Sequence, residues 1–288
     1  MATTPKTLLA VLAHPDDESF GMGGTLAYYA KQGAAVYLVC ATRGEAGDVD
    51  PSHLEGFASI AERRESELRC AAGILGLAGV YFLDYRDSGM TGSPDNQHPQ
   101  ALAAAPLEEA AARVAGYIRR LRPQVVVTFD PIGGYMHPDH IAIQRATLRA
   151  FSLAGDPAFT DGQPPYQAHK LYYHTFPRGF MRLAVRLLPL FGRDPRRFGR
   201  NQDIDLVRLA EEGDFPVHAE IDIRRVRAEK DAAGACHASQ LSGGPPGQGR
   251  LLGWLVRWLD RKEQYMRAIP PGEKGRREKD LFEGVVGD

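Results

Sequence analysis

The feature that most constrains the fold is a short apolar run that ends abruptly in charge. Residues 8–13, Leu-Leu-Ala-Val-Leu-Ala, have the length and composition of a strand buried on both faces. A His-Pro pair then breaks the run, three acids follow at residues 16–18, and a helix-like segment begins at Thr25. Carboxylates this close together repel one another beside an apolar core, so we expect a compensating cation at the end of the strand.

A second stretch repeats this arrangement farther along the chain. Residues 129–140 read Phe-Asp-Pro-Ile-Gly-Gly-Tyr-Met-His-Pro-Asp-His, which again gives a strand end, a break, a His-Pro-Asp sequence and a helix start. His14 and Asp17 are three residues apart, as are His137 and His140. The two stretches are therefore a pair of candidate ligand loops.

The order of elements predicts the fold class. Strands are predicted at residues 8–13, 35–41, 80–83 and 124–129, with helices between them at 25–31, 58–75 and 106–121. This alternation is typical of an α/β fold with a Rossmann-like, mainly parallel sheet flanked by helices. Ligands of such sheets bind beyond the carboxyl ends of the strands, where the strand order reverses, so the two loops should face each other across one crevice.

The pattern changes in the C-terminal part. Strands are predicted at residues 170–176 and 217–223, and amphipathic helices at 178–191, 224–240 and 250–268, the last bearing Trp254 and Trp258. We expect one catalytic domain over residues 1–288, with a core at about 6–175 and a smaller C-terminal lobe at about 176–288.

Composition argues against several classes of function. The net charge of −1 lacks the basic surplus of a general nucleic-acid binder. No segment approaches the roughly 20 apolar residues of a membrane span, and we expect no membrane contact. The three cysteines, Cys40, Cys70 and Cys236, are widely spaced and fit a reducing cytoplasm. Cys40 and Cys70 fall in apolar segments, so we expect them to be packing residues.

Ligands from both loops would form a site with two histidines and one carboxylate. That set suits Zn²⁺ with an open position for water, and it also suits Fe²⁺. A hydrolytic metal site needs a separate base to take a proton from water, and Asp16 is the natural candidate.

The paired motifs resemble a known family. Ala-His-Pro-Asp-Asp-Glu at residues 13–18 and His-Pro-Asp-His at residues 137–140 are similar to the LmbE-like, or PIG-L, family of zinc-dependent N-acetylglucosaminyl deacetylases, which includes deacetylases and amidases of mycothiol and bacillithiol metabolism. The resemblance spans about residues 6–150, with weaker similarity at 221–223 and 237–240. It implies metal ligation by His14, Asp17 and His140 and a general base at Asp16.

The resemblance implies further roles. His137 would supply positive charge or a proton at the tetrahedral intermediate and would be oriented by Asp139, while Tyr135 would help to polarise the amide carbonyl. Arg64 and Asp87 would bind sugar hydroxyls.

Two acids and one histidine lie outside these roles. Glu18 would either support the metal loop or complement the positive end of the following helix. We interpret Glu45 as a crevice-rim residue and His237 as a structural histidine.

The resemblance favours a hydrolase that removes the N-acetyl group from an N-acetylglucosamine conjugate, a small-molecule substrate. An amidase that cleaves another amide on an amino sugar is the near alternative. Three further readings are an Fe²⁺ oxygenase, a non-catalytic sugar-binding module and a dinucleotide-binding protein; for the last, Gly21-Met-Gly-Gly24 lacks the final glycine of the fingerprint, because position 26 is Leu. The aglycone, the native metal and assembly into a homo-oligomer stay open.

Overall fold

A seven-stranded sheet forms the centre of the molecule. The structure is a computed structural model that describes residues 5–175, 178–197, 205–212, 215–241, 261–273 and 275–285. Its strands are β1 (Thr7–Leu12), β2 (Ala35–Cys40), β3 (Gly79–Phe82), β4 (Val125–Phe129), β5 (Lys170–Thr175), β6 (Ala219–Asp222) and β7 (Lys262–Ile269). They lie in the order β3-β2-β1-β4-β5-β7-β6.

Helices flank this sheet. In chain order they are α1 (Asp17–Phe20), α2 (Gly23–Lys31), α3 (Ile60–Leu75), α4 (Leu107–Leu121), α5 (Gly133–Met136), α6 (Pro138–Gly155), α7 (Arg178–Leu187), α8 (Leu206–Glu212) and α9 (Arg227–Cys236). Helices α2, α3 and α9 pack on one another, and α4 packs on α6. Ser59 caps the start of α3, and Gly76 ends it in the left-handed conformation, as expected from their residue types. None of the helices within these ranges is long and apolar enough to cross a membrane.

The first strand lies at the middle of the sheet and is buried on both faces. Residues 8–12 are fully inaccessible to solvent, which explains why they read as a continuous apolar run. Strand β1 pairs in parallel with β2 on one side and with β4 on the other. The strand order therefore reverses between β1 and β4, which places the loops after these two strands at one crevice. The predicted fold class, a Rossmann-like and mainly parallel sheet flanked by helices, is confirmed.

The last part of the chain corrects one prediction. The helix predicted over residues 250–268 is wrong for 262–268, which belong to β7, antiparallel to both β5 and β6. A half-buried strand is usually recognised by alternating apolar and polar residues. Here the buried residue after Lys262 is an acid, Glu263, so the apolar–polar alternation is interrupted. Residues 250–260 of the predicted helix, with both tryptophans, lie outside the described residues, and Arg261 is not helical. Because β6 and β7 extend the same sheet, the division into core and C-terminal lobe stays a prediction.

The hydrogen-bond partners of Glu263 explain why an acid is buried at this position. Its buried carboxylate accepts hydrogen bonds from the backbone N–H groups of Gly24 (3.0 Å) and Thr25 (2.7 Å) in the first turn of α2, and from Lys230 Nζ on α9 (2.7 Å). An added Cβ on Gly24 would lie 2.6 Å from Ile223 Cγ2, so glycine here serves close packing. An acid thus occupies the helix terminus where a dinucleotide would place its pyrophosphate, and the dinucleotide-binding reading fails.

The cysteines also differ from expectation. Cys70 on α3 is not a packing residue, because it forms a disulfide with Cys236 at the end of α9, across a Cα–Cα distance of 5.9 Å. Cys40 is buried and free, as expected. The two bonded residues are 166 positions apart, and only the packing of α3 on α9 brings them together. Cysteine usage therefore does not support the expected reducing compartment.

A thiol count tests this disulfide. We expect the purified protein, unfolded in denaturant without reductant, to show one reactive thiol, that of Cys40, and three after reduction. Titration with a chromogenic disulfide reagent measures both numbers. Three thiols before reduction would contradict the bond, and a Cys236→Ser variant, which leaves Cys70 unpaired, should show two in either condition.

Replacement of Glu263 by alanine should destabilise the fold. The change removes the carboxylate that binds the buried Lys230 ammonium and two helix N–H groups, so we expect the free energy of unfolding to fall by about 3–5 kcal/mol in urea denaturation at neutral pH. Glu220→Ala on β6 is the control, because its partners Lys262 and Arg277 are exposed and its loss should cost about 1 kcal/mol or less. Equal costs for the two variants would contradict this account.

The same contact predicts a pH dependence. Burial raises the pKa of Glu263. Lys230 and His174 lower it by more than burial raises it, so the net pKa lies below the ordinary value. The contact therefore stabilises the fold above the ordinary glutamate pKa, and this stability is lost as the pH falls through the folded-state pKa. The gap in stability between wild type and Glu263→Ala should accordingly narrow in acid.

Candidate active site

Three buried donor groups converge at the crevice between β1 and β4. Nδ1 of His14 lies 3.2 Å from Nε2 of His140. The Asp17 carboxylate lies 3.3 Å from that nitrogen of His140 and 3.6 Å from Nδ1 of His14. His14 and Asp17 come from the loop after β1, and His140 lies in the first turn of α6. The structure thus brings together the three residues that the resemblance implies as metal ligands.

The partners of the two imidazoles determine which nitrogens face inward. Nε2 of His14 lies 3.1 Å from the Asp139 carboxylate, and Nδ1 of His140 lies 3.2 Å from the carbonyl oxygen of Gly133. Neither acceptor can donate a proton, so each of these nitrogens carries the hydrogen. When both rings are neutral, the remaining nitrogens, Nδ1 of His14 and Nε2 of His140, therefore direct lone pairs at each other and at the Asp17 carboxylate.

Such an arrangement fits a divalent cation. Ligand atoms bound about 2.0–2.1 Å from a tetrahedral Zn²⁺ lie about 3.3 Å apart, close to the separations found among His14, Asp17 and His140. The metal-free electrostatics point the same way. Burial raises the pKa of Asp17 to about 7. Burial lowers the pKa of His14, but Asp87, Asp139 and Asp17 raise it well above its usual value, so the site attracts positive charge.

Other ligand combinations are present among the described residues. His14 with His137 and His140, and His14 with Asp87 and Asp139, also lie close enough to hold an ion. The Asp139 carboxylate is less suited to a metal, because it already accepts hydrogen bonds from the imidazole of His14 and from both the N–H and the hydroxyl of Ser88. A carboxylate behind a metal-binding imidazole fixes its ring and its tautomer. We assign that orienting contact to Asp139.

Asp16 lies beside this group and is held on two sides. Arg64 donates from Nη2 to the Asp16 carboxylate (2.9 Å) and to the carbonyl oxygen of Pro15 (2.7 Å). The backbone N–H of Asp16 donates to the Glu18 carboxylate (2.9 Å). Burial raises the pKa of Asp16, although Arg64 opposes the increase. Its side chain remains 19% exposed, so a carboxylate of increased basicity is accessible to a reacting water.

His137 and Tyr135 line the other side of the crevice. Nδ1 of His137 accepts a hydrogen bond from the Asp139 N–H (3.2 Å) and caps α6, which leaves Nε2 as the protonated nitrogen of the neutral ring. Burial and the nearby His14 lower the pKa of His137 to about 3. The Tyr135 ring centroid lies 4.9 Å from that of His140, and burial raises the pKa of Tyr135 well above its usual value. Both side chains are therefore hydrogen-bond donors at neutral pH.

The loop that carries these donors requires glycine. Gly133 has a φ of 67°, and an added Cβ would lie 2.8 Å from Cβ of His140. Any other residue would displace either the loop or the His140 imidazole.

Known proteins resemble the chain over nearly its whole length. A 1D-myo-inositol 2-acetamido-2-deoxy-α-D-glucopyranoside deacetylase of Streptomyces scabiei is 40% identical and covers 97% of this chain and 90% of its own. A protein of the same name from Geodermatophilus obscurus is 38% identical and covers 99% of this chain and 100% of its own. The family model described as PIG-L, GlcNAc-PI de-N-acetylase, matches residues 9–151. The chain belongs to the PIG-L family.

A solved structure shows the same fold. The N,N′-diacetylchitobiose deacetylase from Pyrococcus horikoshii is 21% identical, covers 98% of this chain and 86% of its own, and has a TM-score of 0.62. Membership of the PIG-L family confirms the resemblance drawn from the paired motifs, and with it the predicted class of enzyme, an amide-hydrolysing deacetylase.

Within this PIG-L chain, Asp139 contacts His137 through its backbone. The Asp139 N–H donates to Nδ1 of His137, whereas the Asp139 carboxylate contacts His14 and Ser88. In sequence, the two histidines are equally plausible partners. The fold decides between them, because the start of α6 directs the Asp139 side chain across the crevice toward the loop after β1.

The predicted sugar-binding pair lies at the site, but in different settings. Arg64 is 4% exposed, and its guanidinium is engaged by the Pro15 and Gly44 carbonyl oxygens and by Asp16. Asp87 lies 3.4 Å from Nε2 of His14 and accepts a hydrogen bond from the backbone N–H of Gly89. A role of either residue in binding sugar hydroxyls stays a prediction.

Ser88 and Glu18 support groups of the site through hydrogen bonds. Ser88 holds Asp139, and nothing in its surroundings in the sequence distinguishes it from an ordinary turn serine. Glu18, for which two readings were open, supports the metal loop, since it accepts from the Asp16 N–H and pairs with the buried imidazole of His237 (2.7 Å). The weak similarity at residues 237–240 was the only signal for His237. Glu45 accepts from the backbone N–H of Asp87 at the crevice rim, as its predicted position suggests.

Removal of the Asp139 carboxylate should weaken metal binding. We expect Asp139→Ala to raise the dissociation constant for Zn²⁺ by about 10–100-fold, because the His14 imidazole loses the acceptor that fixes its ring and its tautomer. Competition with a chromophoric chelator measures the constant. Asp156→Ala, at the opposite end of the same helix, is the control and should bind Zn²⁺ like the wild type. An unchanged constant for Asp139→Ala would show that the orienting contact has no influence on the metal.

Proposed function

We propose that the protein is a zinc-dependent hydrolase that removes the acetyl group from an N-acetylglucosamine conjugate. The observation that carries this proposal is the cluster of Nδ1 of His14, Nε2 of His140 and the Asp17 carboxylate, beside the separately held carboxylate of Asp16. The first candidate substrate is 1D-myo-inositol 2-acetamido-2-deoxy-α-D-glucopyranoside, which the names of the curated relatives specify.

The ligand set and the base have separate tasks. His14, Asp17 and His140 would hold the metal, which when bound would polarise the amide carbonyl oxygen and lower the pKa of a water. Asp16 takes the proton of the attacking water, for which its raised pKa suits it. The proton then passes from the Asp16 carboxyl to the amide nitrogen as the C–N bond breaks, so that acetic acid and the free amine are formed; transfer of the acid proton to the amine gives acetate and the ammonium form.

Donors on the other side of the crevice stabilise the developing oxyanion. Neutral His137 offers its Nε2–H, and protonated Tyr135 offers its hydroxyl. Of the two predicted contributions of His137, positive charge or a proton, its low pKa favours a proton offered in a hydrogen bond. Asp87 and Arg64 are retained as candidates for binding sugar hydroxyls, with Asp87 favoured because more of the Arg64 guanidinium is already engaged.

An amidase that acts on a different acyl group of an amino sugar would use the same residues, and it is the second candidate. Fe²⁺ in place of Zn²⁺ is compatible with the same donor set. A non-catalytic sugar-binding module would have no use for a base held by both Arg64 and Glu18. The cytoplasmic location and a homo-oligomeric state stay predictions.

A panel of conjugates tests the proposal. Zinc-loaded protein is incubated with N-acetylglucosaminyl inositol, with other N-acetylglucosamine conjugates and with amino sugars that carry longer acyl groups, and the new primary amine is quantified. We expect amine from the inositol conjugate, and Asp16→Asn should lower kcat by about 10²–10⁴-fold while zinc content is retained. Asp84→Asn is the control, since Asp84 also has a positive φ after a sheet strand but is exposed and pairs with Arg43.

The outcomes separate the alternatives. Amine from only the longer acyl groups would favour the amidase, and no amine from any conjugate would contradict both hydrolase readings. Protein stripped with a chelator and reloaded with either Zn²⁺ or Fe²⁺, the latter without oxygen, identifies the metal that restores activity.

A further inference from the structure

Asp16 has a backbone conformation that an L-residue rarely adopts. Its φ is 122° and its ψ is −29°, outside the regions that suit a side chain with Cβ. Residues in such conformations cost about 1–3 kcal/mol and persist only where the surrounding structure over-determines them. The conformation of the proposed base therefore needs contacts that hold it.

Those contacts come from two directions. On the side-chain face, Arg64 binds the Asp16 carboxylate and the Pro15 carbonyl oxygen. On the backbone face, Oε2 of Glu18 accepts the Asp16 N–H at 2.9 Å. The Glu18 carboxylate is fully buried, and its other oxygen accepts from Ser19 Oγ (2.5 Å) and from Nε2 of His237 (2.7 Å). Ser19 and His237 thus both bind the Glu18 oxygen that does not accept the Asp16 N–H, and of the two only His237 comes from a distant part of the chain.

His237 is itself well fixed and fully buried. It follows directly on α9, and the residue before it, Cys236, is bonded to Cys70 on α3. Its Nε2 is committed to Glu18, and among the described residues its Nδ1 has no hydrogen-bond partner. The imidazole makes no contact with the three proposed metal ligands that the structure records. Among the described residues, the hydrogen bonding of the His237 imidazole is therefore directed at Glu18.

We propose that His237 is a positioning residue for the general base: by holding the Glu18 carboxylate against the Asp16 N–H, it keeps the Asp16 carboxylate aimed at the reacting water. This inference rests on the proposed function of Asp16. The inference gives the C-terminal part of the chain an effect, through Glu18, on a reaction whose other groups all lie before residue 141.

A purely structural role for His237 makes a different prediction, and the neighbouring Ser239 provides the comparison. Ser239 is equally buried and joins the same segment to α3, through hydrogen bonds from its N–H (2.9 Å) and its hydroxyl (2.7 Å) to Glu67. Glu67 also pairs with Arg63 and lies on α3, whereas Glu18 holds Asp16. Loss of the Ser239 hydroxyl should thus loosen the segment without changing the hold on the base.

Two substitutions that differ by one methylene group isolate the contact. The side-chain amide nitrogen of His237→Gln can reach the place of Nε2, whereas that of His237→Asn reaches only the place of Nδ1. For zinc-loaded His237→Asn we expect kcat to fall by about 10–100-fold with KM and zinc content within about twofold of wild type, because a small misplacement of a catalytic group has effects of this size. His237→Gln and the control Ser239→Ala should keep kcat within about threefold.

Hydrogen exchange gives a readout that does not need a substrate. We expect the Asp16 amide of zinc-loaded His237→Asn to exchange at least about tenfold faster than in wild type, and to keep its protection in His237→Gln and Ser239→Ala. Should His237→Asn not fold, His237→Gln decides alone: preserved kcat and Asp16 protection support the proposal, and loss of both overturns it.

The remaining outcomes are distinct. Equal losses of kcat in His237→Asn and Ser239→Ala would overturn the proposal in favour of a structural role, as would unchanged kcat and exchange in His237→Asn. If the wild type released no amine from any conjugate, the proposed function would fail, while faster Asp16 exchange in His237→Asn alone would still support the positioning contact.

Discussion

Two imidazole lone pairs and a carboxylate can face one another at hydrogen-bond distance only if positive charge lies among them. In this chain the arrangement is imposed from outside the cluster, because Asp139 and the Gly133 carbonyl each take the hydrogen of one imidazole. The same residue types without these acceptors could rotate and pair with one another. The affinity for a cation is thus a property of the hydrogen bonds behind the ligands as much as of the ligands.

The proposed base, Asp16, is likewise held by hydrogen bonds, but its partners differ from those of the metal ligands. Adjacent Asp16 and Asp17 have the same side chain. Asp17 accepts a hydrogen bond from the backbone N–H of His14 and points at the two imidazoles, while Asp16 is held by Arg64 and Glu18. The unusual backbone of Asp16 is what turns two neighbouring carboxylates in different directions. Backbone strain is therefore part of how one short loop supplies both a ligand and a base.

Local patterns were sufficient to predict the first strand, its acidic loop and the crevice, because consecutive residues form the pattern of a buried strand followed by charged residues. Features that depend on distant contacts were not predictable. The disulfide joins Cys70 to Cys236 only because two helices pack together, and β7 lacked a strand pattern because the buried Glu263 binds a helix terminus. Likewise, sequence spacing could not decide whether Asp139 serves His14 or His137. Each miss concerns a partner that only the tertiary structure supplies.

The cap on α2 has a consequence for how the enzyme is made. This helix follows the metal loop closely, but its first N–H groups are bound by Glu263, which lies 239 residues beyond Gly24. During synthesis the loop leaves the ribosome well before the carboxylate, so the helix behind the loop stays uncapped until β7 has been made. An N-terminal fragment that ends with the family-matched region, residues 9–151, would carry all the proposed ligands and the base, but neither the Glu263 cap on α2 nor the His237 contact to Glu18. The helix behind the metal loop should accordingly reach its final stability only after translation of the last strand.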